Sequence, residues 1–166
     1  MMRGITALAC AALLATPGFA QAPAAQKPLA YGPALSADQA RTIIERGIQN
    51  AKAKGLTMAF AVVEPSGELV AFARMDDTPY ASSQIAQQKA RSSARFRLPT
   101  KVFEDRVQGG RMVLLSSDEV IAIGGGVPII VGGKVAGALG VSGGSAADDA
   151  AIADATLLAT GQSSTP

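Results

Sequence analysis

Two β-rich runs, 57–63 (TMAFAVV) and 68–74 (ELVAFAR), are separated only by Glu64-Pro65-Ser66-Gly67. So short a connection of turn residues pairs consecutive strands antiparallel, because a parallel pair needs a crossover of about a dozen residues or more. The same constraint returns at 127–131 and 134–141, where Gly132-Gly133 reads as a hairpin turn. Further strands are predicted over 112–115 and 119–123. The sheet needs apolar cover, and helical periodicity supplies it. Ser36 and Gln39 form a capping box for a helix over 37–53, with Ala40, Ile43, Ile44, Gly47, Ile48 and Ala51 on one face and Gly55 as its stop. A second helix runs from Tyr80 to Phe96, with Ile85, Ala86, Ala90 and Ala94 on one face. Pro99 ends it, and Thr100 is placed to cap a shorter helix over 101–108. A second capping box, Ser145 with Asp148, opens the last helix, with Ile152, Ala155, Leu158 and Ala159 expected to face the core. Helices packed on an antiparallel sheet make an α+β domain.

The ends read differently. Met1-Met2-Arg3, an apolar run from Gly4 to Ala15 and the small residues of Gly18-Phe19-Ala20 form a secretory signal pattern, with cleavage expected after Ala20. Residues 21–35 are a Pro/Ala-rich, flexible lead-in, and 161–166 a flexible tail, which leaves a domain over 36–160. The expected location is therefore periplasmic or secreted, with no membrane span once the signal is removed. Cys10, the one cysteine of the 166-residue chain, would leave with it, so the exported domain has no disulfide and relies on packing.

The chain contains no His, which excludes a His-bearing triad, a His-ligated zinc and a His-ligated haem. Gly140-Val141-Ser142-Gly143-Gly144 fits the spacing of a nucleophile elbow but has no histidine base to activate Ser142. Gly132-Gly133-Lys134 is no phosphate loop, since Pro128 stands where the first glycine belongs and Val135 replaces Ser/Thr. No parallel βαβ unit surrounds these glycines, so a dinucleotide fingerprint is excluded too. Adjacent carboxylates at 76–77, 118–119 and 148–149 diverge from one another and read as turns or caps; no metal site is assigned. A net charge of +2 with 4% aromatics does not point to nucleic acid. Eight basic residues nonetheless lie between Arg74 and Arg111. They form either a solvated face with local ion pairs or a rim for an anionic ligand.

Val70-Ala71-Phe72-Ala73-Arg74-Met75-Asp76, then Lys89-Ala90-Arg91 and Leu98-Pro99-Thr100, resemble the GlcG/HbpS haem-binding family. The second half, with Gly124-Gly125-Gly126-Val127-Pro128-Ile129, Gly137 to Gly144 and Asp148-Asp149, is similar to that family's glycine-rich close. The similarity covers about 36–160. It implies a sheet of about five antiparallel strands flanked by helices, resembling the profilin-like fold, in a protein that commonly forms homo-oligomers. It also implies an exported haem- or tetrapyrrole-binding protein, in haem storage, sensing or degradation, related to the C-terminal domain of PduO-type adenosyltransferases.

The expected ligand site comprises Arg74, Met75, Asp76, Lys89, Thr100, Gly124, Gly125, Gly126, Pro128, Ser142 and Gly143, with Thr100 matching the family's haem-linked threonine. Glycines allow close approach of a flat ligand, Lys89, Arg91 and Arg95 offer charges to propionates, and Ile129, Val141 and Phe96 offer apolar walls. Without His, an iron ligand would have to be Tyr, Met or a weak oxygen donor, with Tyr31, Tyr80, Met75 and Met112 as the candidates. No catalytic group is identified. The alternative is an enzyme or accessory protein acting on a small organic (hydroxy)acid through Arg74, Asp76 and Lys89.

Overall fold

A computed structural model describes residues 28–164. The expected signal peptide lies outside them. The chain runs α1 (Ala37–Ala53), β1 (Ala59–Val63), β2 (Leu69–Arg74), α2 (Tyr80–Phe96), α3 (Lys101–Gln108), β3 (Gly126–Val131), β4 (Lys134–Ser142) and α4 (Ala146–Ala159). The strands form one antiparallel sheet in the order β2-β1-β4-β3, so the molecule is an α+β domain.

Both capping boxes form. Ser36 Oγ accepts from Gln39 N while Gln39 Oε1 accepts from Ser36 N, and Ser145 and Asp148 repeat the exchange. The β3–β4 hairpin turns through Gly132 and Gly133 with φ of 57° and 73°, the left-handed pair that a two-residue hairpin requires. Two separate apolar clusters sandwich the sheet. On one face α1 and α4 bury Ile43, Ile44, Ile152 and Leu157 against Phe60, Val62, Leu139 and Val141. On the other, Ala86, Ala90 and Ala94 of α2 meet Ala59, Ala61, Val63 and Ala138. Small residues on both sides let α2 approach the strands closely.

Three expectations are corrected. The described sheet has four strands rather than about five, because 112–115 and 119–123 are not strands. Met112–Ser116 is a 3-10 turn and 119–123 an irregular crossing, held to α2 by Ser92, whose Oγ donates to Glu119 O and accepts from Ile121 N. Sheet pairing was closed to them: Pro128 on edge strand β3 has no N–H to give, and Ile130 N already donates to Ser163 O. Secondly, α4 buries Ile152, Ala153, Thr156 and Leu157, while Leu158 is 81% exposed, so the apolar stripe is rotated from the expected one. Thirdly, Thr100 makes no side-chain cap for α3.

The segment before α1 is tied down at Tyr31. Its backbone bridges Val135, its hydroxyl donates to Arg95 O at 2.7 Å, and its ring lies 4.9 Å from the Arg97 guanidinium. No helix among the described residues is long and apolar enough to cross a membrane.

Candidate functional site

The structure divides the expected site residues into two groups. One group is interior. Lys89 sits on the alanine stripe of α2, three residues after Ala86, and is fully buried. Its Nζ donates to Asp149 Oδ2 at 2.6 Å and to Val141 O at 3.0 Å, while Asp149 Oδ1 accepts from Gly144 N at 2.9 Å. Burial pushes the Lys89 ammonium below its ordinary range and the Asp149 carboxyl above its own, and their mutual hydrogen bond opposes both shifts. Thr100 is also fully buried; its Oγ1 accepts from Gly126 N at 2.9 Å.

The glycines complete this interior. A Cβ on Gly126 would stand 2.4 Å from Lys89 O, one on Gly125 2.6 Å from Asp149 Cβ, and one on Gly143 2.3 Å from Thr57 O. Gly124 N donates to Glu104 Oε2 at 2.7 Å. Pro128 is buried within β3 and Ser142 at the end of β4. The space that glycine leaves here is filled by this chain itself, by α2, α3 and α4 at Gly124–Gly126 and by Thr57 and Met58 at Gly143, so the expected glycine-walled slot for a flat ligand is closed. The Lys89 ammonium expected to hold a ligand is instead paired with Asp149. Arg91 and Arg95 are likewise engaged, Arg91 with Glu68 at 3.0 Å and Arg95 with Glu119 at 2.5 Å.

The second group opens to solvent. Arg74 ends β2, Met75, Asp76 and Asp77 follow it, and the four line a cavity of about 540 Å³ with Ile48 and Lys52 of α1 and the turn residues Leu56 and Thr57. Ligand pockets typically measure ~300–1,000 Å³, with mostly apolar walls and a few polar groups. Ile48, Leu56 and Met75 pack partly buried against the main core and form the apolar wall. Lys52 and Arg74 supply positive charge, and neither is in an ion pair among the described residues. The Arg74 guanidinium lies 4.9 Å over the Tyr80 ring, which restrains it without neutralising it. Two cavities along α2, of about 320 and 390 Å³, are bounded instead by Gln84, Gln88, Glu68 and Asp118 and offer little apolar surface.

Asp76 and Asp77 line the cavity beside Lys52 and Arg74, so the arrangement can hold a partly apolar ligand whose anionic group meets the two cations, between α1 and the β2–α2 connection. It separates Lys89 from Arg74 and Asp76, so the three do not form one catalytic constellation. Sequence reasoning missed Asp149, taken for a cap, and the α1 contribution of Ile48 and Lys52. A lysine on an otherwise alanine stripe was the available signal that α2 needed a buried acidic partner.

A family model described as haem degrading protein HbpS-like matches residues 35–158. Protein GlcG of Escherichia coli (strain K12) is 38% identical over 108 residues, which span 65% of this chain and 81% of that protein. The solved structure of a PduOC:heme complex has a TM-score of 0.73 at 26% identity, covering 80% of this chain and 99% of that one. A double mutant of HbpS from Streptomyces reticuli shares the fold, with a TM-score of 0.71 at 23% identity over 84% of this chain and 97% of that one. The matched span contains every helix and strand but the last residue of α4. The chain belongs to the HbpS-like family.

Proposed function

We propose that this protein is an exported haem- or tetrapyrrole-binding protein, and that the ligand sits in the cavity between α1 and the β2–α2 connection. The observation that carries this reading is the composition of that cavity: an apolar wall of Ile48, Leu56 and Met75, edged by Lys52 and Arg74, which have no ion pair among the described residues, and by Asp76 and Asp77. The lining fits the group in part: Ile48, Leu56 and Met75 offer carbon and sulfur to a macrocycle, and Lys52 and Arg74 offer two cations to propionates, but Asp76 and Asp77 bring two carboxylates to the same wall. The sealed interior around Lys89 and Gly126 does not fit it. A relative of the same fold solved as a PduOC:heme complex supports the ligand class. When bound, haem brings redox and ligand-binding chemistry at its iron; the chain supplies seat, charge and exclusion of water.

Export to the periplasm or beyond rests on the N-terminal signal pattern, and assembly into a homo-oligomer on the exposed apolar turn at Met112, Val113 and Leu115. Titrating haemin into the purified protein tests the reading. A saturable shift of the Soret band, weakened when Lys52 and Arg74 are both replaced by Gln, is expected; no saturable shift at micromolar haemin overturns it.

A further inference from the structure

The cavity between α1 and the β2–α2 connection carries charge of both signs. Lys52 lies in the last turn of α1 and Arg74 at the end of β2, while Asp76 and Asp77 sit on the turn that follows. None of the four is in an ion pair among the described residues. Elsewhere on the surface, opposite charges three or four residues apart do pair, Asp38 with Arg41 and Lys101 with Asp105. Arg74 instead stacks on Tyr80, its guanidinium 4.9 Å from the ring centroid.

The turn that bears the two carboxylates is held by other groups. Met75 N donates to Met58 O at 3.0 Å, Met58 N donates to Met75 Sδ at 3.4 Å, and Thr57 Oγ1 donates to Asp77 O at 3.4 Å. These bonds tie the turn to the start of β1 without using either carboxylate. Asp77 has a left-handed φ of 60°, which Asp and Asn tolerate better than other non-glycine residues. The propionates of a haem would use only the cations of this wall. A ligand that carries both an ammonium and a carboxylate meets all four charges, and a short aliphatic part suits the small apolar wall of Ile48, Leu56 and Met75.

We propose that this cavity binds a small zwitterion, an α-amino acid with an aliphatic side chain, its carboxylate on Lys52 and Arg74 and its ammonium on Asp76 and Asp77. The inference goes beyond the haem reading and does not rest on it. Isothermal titration calorimetry on the full chain compares three probes: L-leucine, isocaproate, which lacks the ammonium, and isoamylamine, which lacks the carboxylate. Leucine should bind saturably and at least about tenfold more tightly than either single-charge probe, the loss expected for one hydrogen-bonded charge. The double variant Asp76→Asn/Asp77→Asn removes both carboxylates, and asparagine suits the left-handed backbone at position 77. It should weaken leucine by about tenfold and strengthen isocaproate, opposite signs that a folding defect would not produce. Leucine bound no more tightly than isocaproate or isoamylamine overturns the proposal, as does a double variant that weakens leucine and isocaproate alike. Absence of saturable leucine binding at about 10 mM also overturns it. Haemin enters none of these titrations, so the haem reading stands or falls separately, on its own Soret titration.

Discussion

Lys89 Nζ lies 2.6 Å from Asp149 Oδ2, and the two residues come from helices on opposite faces of one sheet. Because α2 and α4 are separated by the strands, the pair meets beyond the end of β4, beside Val141 O and Gly144 N. It acts as a staple between the two layers. The side chains are 1% and 3% exposed, so neither charge has water to fall back on if its partner is removed.

Removal of one partner should therefore be costly. Asp149→Asn is expected to lower unfolding free energy by about 3–5 kcal/mol, the usual cost of leaving a buried charge uncompensated. Lys89→Met combined with Asp149→Leu should recover at least half of that loss, although Val141 O and Gly144 N lose their partners. The reason is that burial disfavours both charged forms in the folded state. Urea denaturation of the two variants decides it; a double variant no more stable than Asp149→Asn would refute it.

Acid stability depends on other carboxylates. The Arg95 guanidinium beside Glu119 holds its carboxyl below the ordinary 4.5, and hydrogen bonds from Ser145 hold Asp148 below 3.8. A depressed carboxylate contributes stability above its unfolded pKa and loses it as pH falls through the folded one. Asp149, raised by burial, has the opposite sign and gains as pH falls. Between about pH 5 and pH 3, Glu119→Gln/Asp148→Asn should lose less stability than the unsubstituted protein. Denaturant midpoints measured across that range check this; equal slopes would refute it.

Glycine substitutions distinguish packing from turn geometry. On Gly140 a Cβ would lie 2.0 Å from Ala86 O and 2.7 Å from Ala90 N, both backbone atoms of α2. Gly140→Ala must push α2 off the sheet and should cost about 3 kcal/mol, at or beyond the usual upper end for overpacking. Gly133→Ala meets nothing within 4 Å and has only the left-handed φ of 73° against it. It should cost about 1–2 kcal/mol. Thermal unfolding of the two variants measures the difference.

These contacts also explain what the sequence left hidden. Local signals carry local structure: capping boxes, helical stripes and paired glycines placed α1, α2, α3 and the β3–β4 hairpin within a residue or so. The run 112–123 looked like strand because its residues are aliphatic, but a strand also needs a free edge, and Pro128 and Ser163 had closed the nearest one. Gly124–Gly126 and Gly143 were read as room for a ligand, but what approaches them is set by topology, which brings Lys89, Asp149 and Glu104 onto the first three and Thr57 and Met58 onto the last. Arg74, Met75 and Asp76 were grouped through the family resemblance, and the structure places them on one cavity wall. Ile48 and Lys52 were not, since their place beside Arg74 depends on where α1 docks.

Thr100 offers the sharpest separation between resemblance and geometry. The family likeness ties this threonine to haem, whereas the structure gives its hydroxyl to Gly126 N at 2.9 Å in a fully buried setting. Thr100→Val keeps the shape and leaves a buried N–H without an acceptor, which should cost about 1–3 kcal/mol. Thr100→Ser keeps the hydrogen bond and loses one methyl, at about 1 kcal/mol. If the hydroxyl serves the fold, Thr100→Val is the less stable variant and both retain the haemin affinity of the unsubstituted protein at temperatures well below unfolding. A Thr100→Val protein with unchanged stability and lost haemin binding would instead put the hydroxyl on the ligand, and would require α2 to move away from Gly126 to admit it. Haemin titration beside denaturant unfolding, on the same preparations, distinguishes the two.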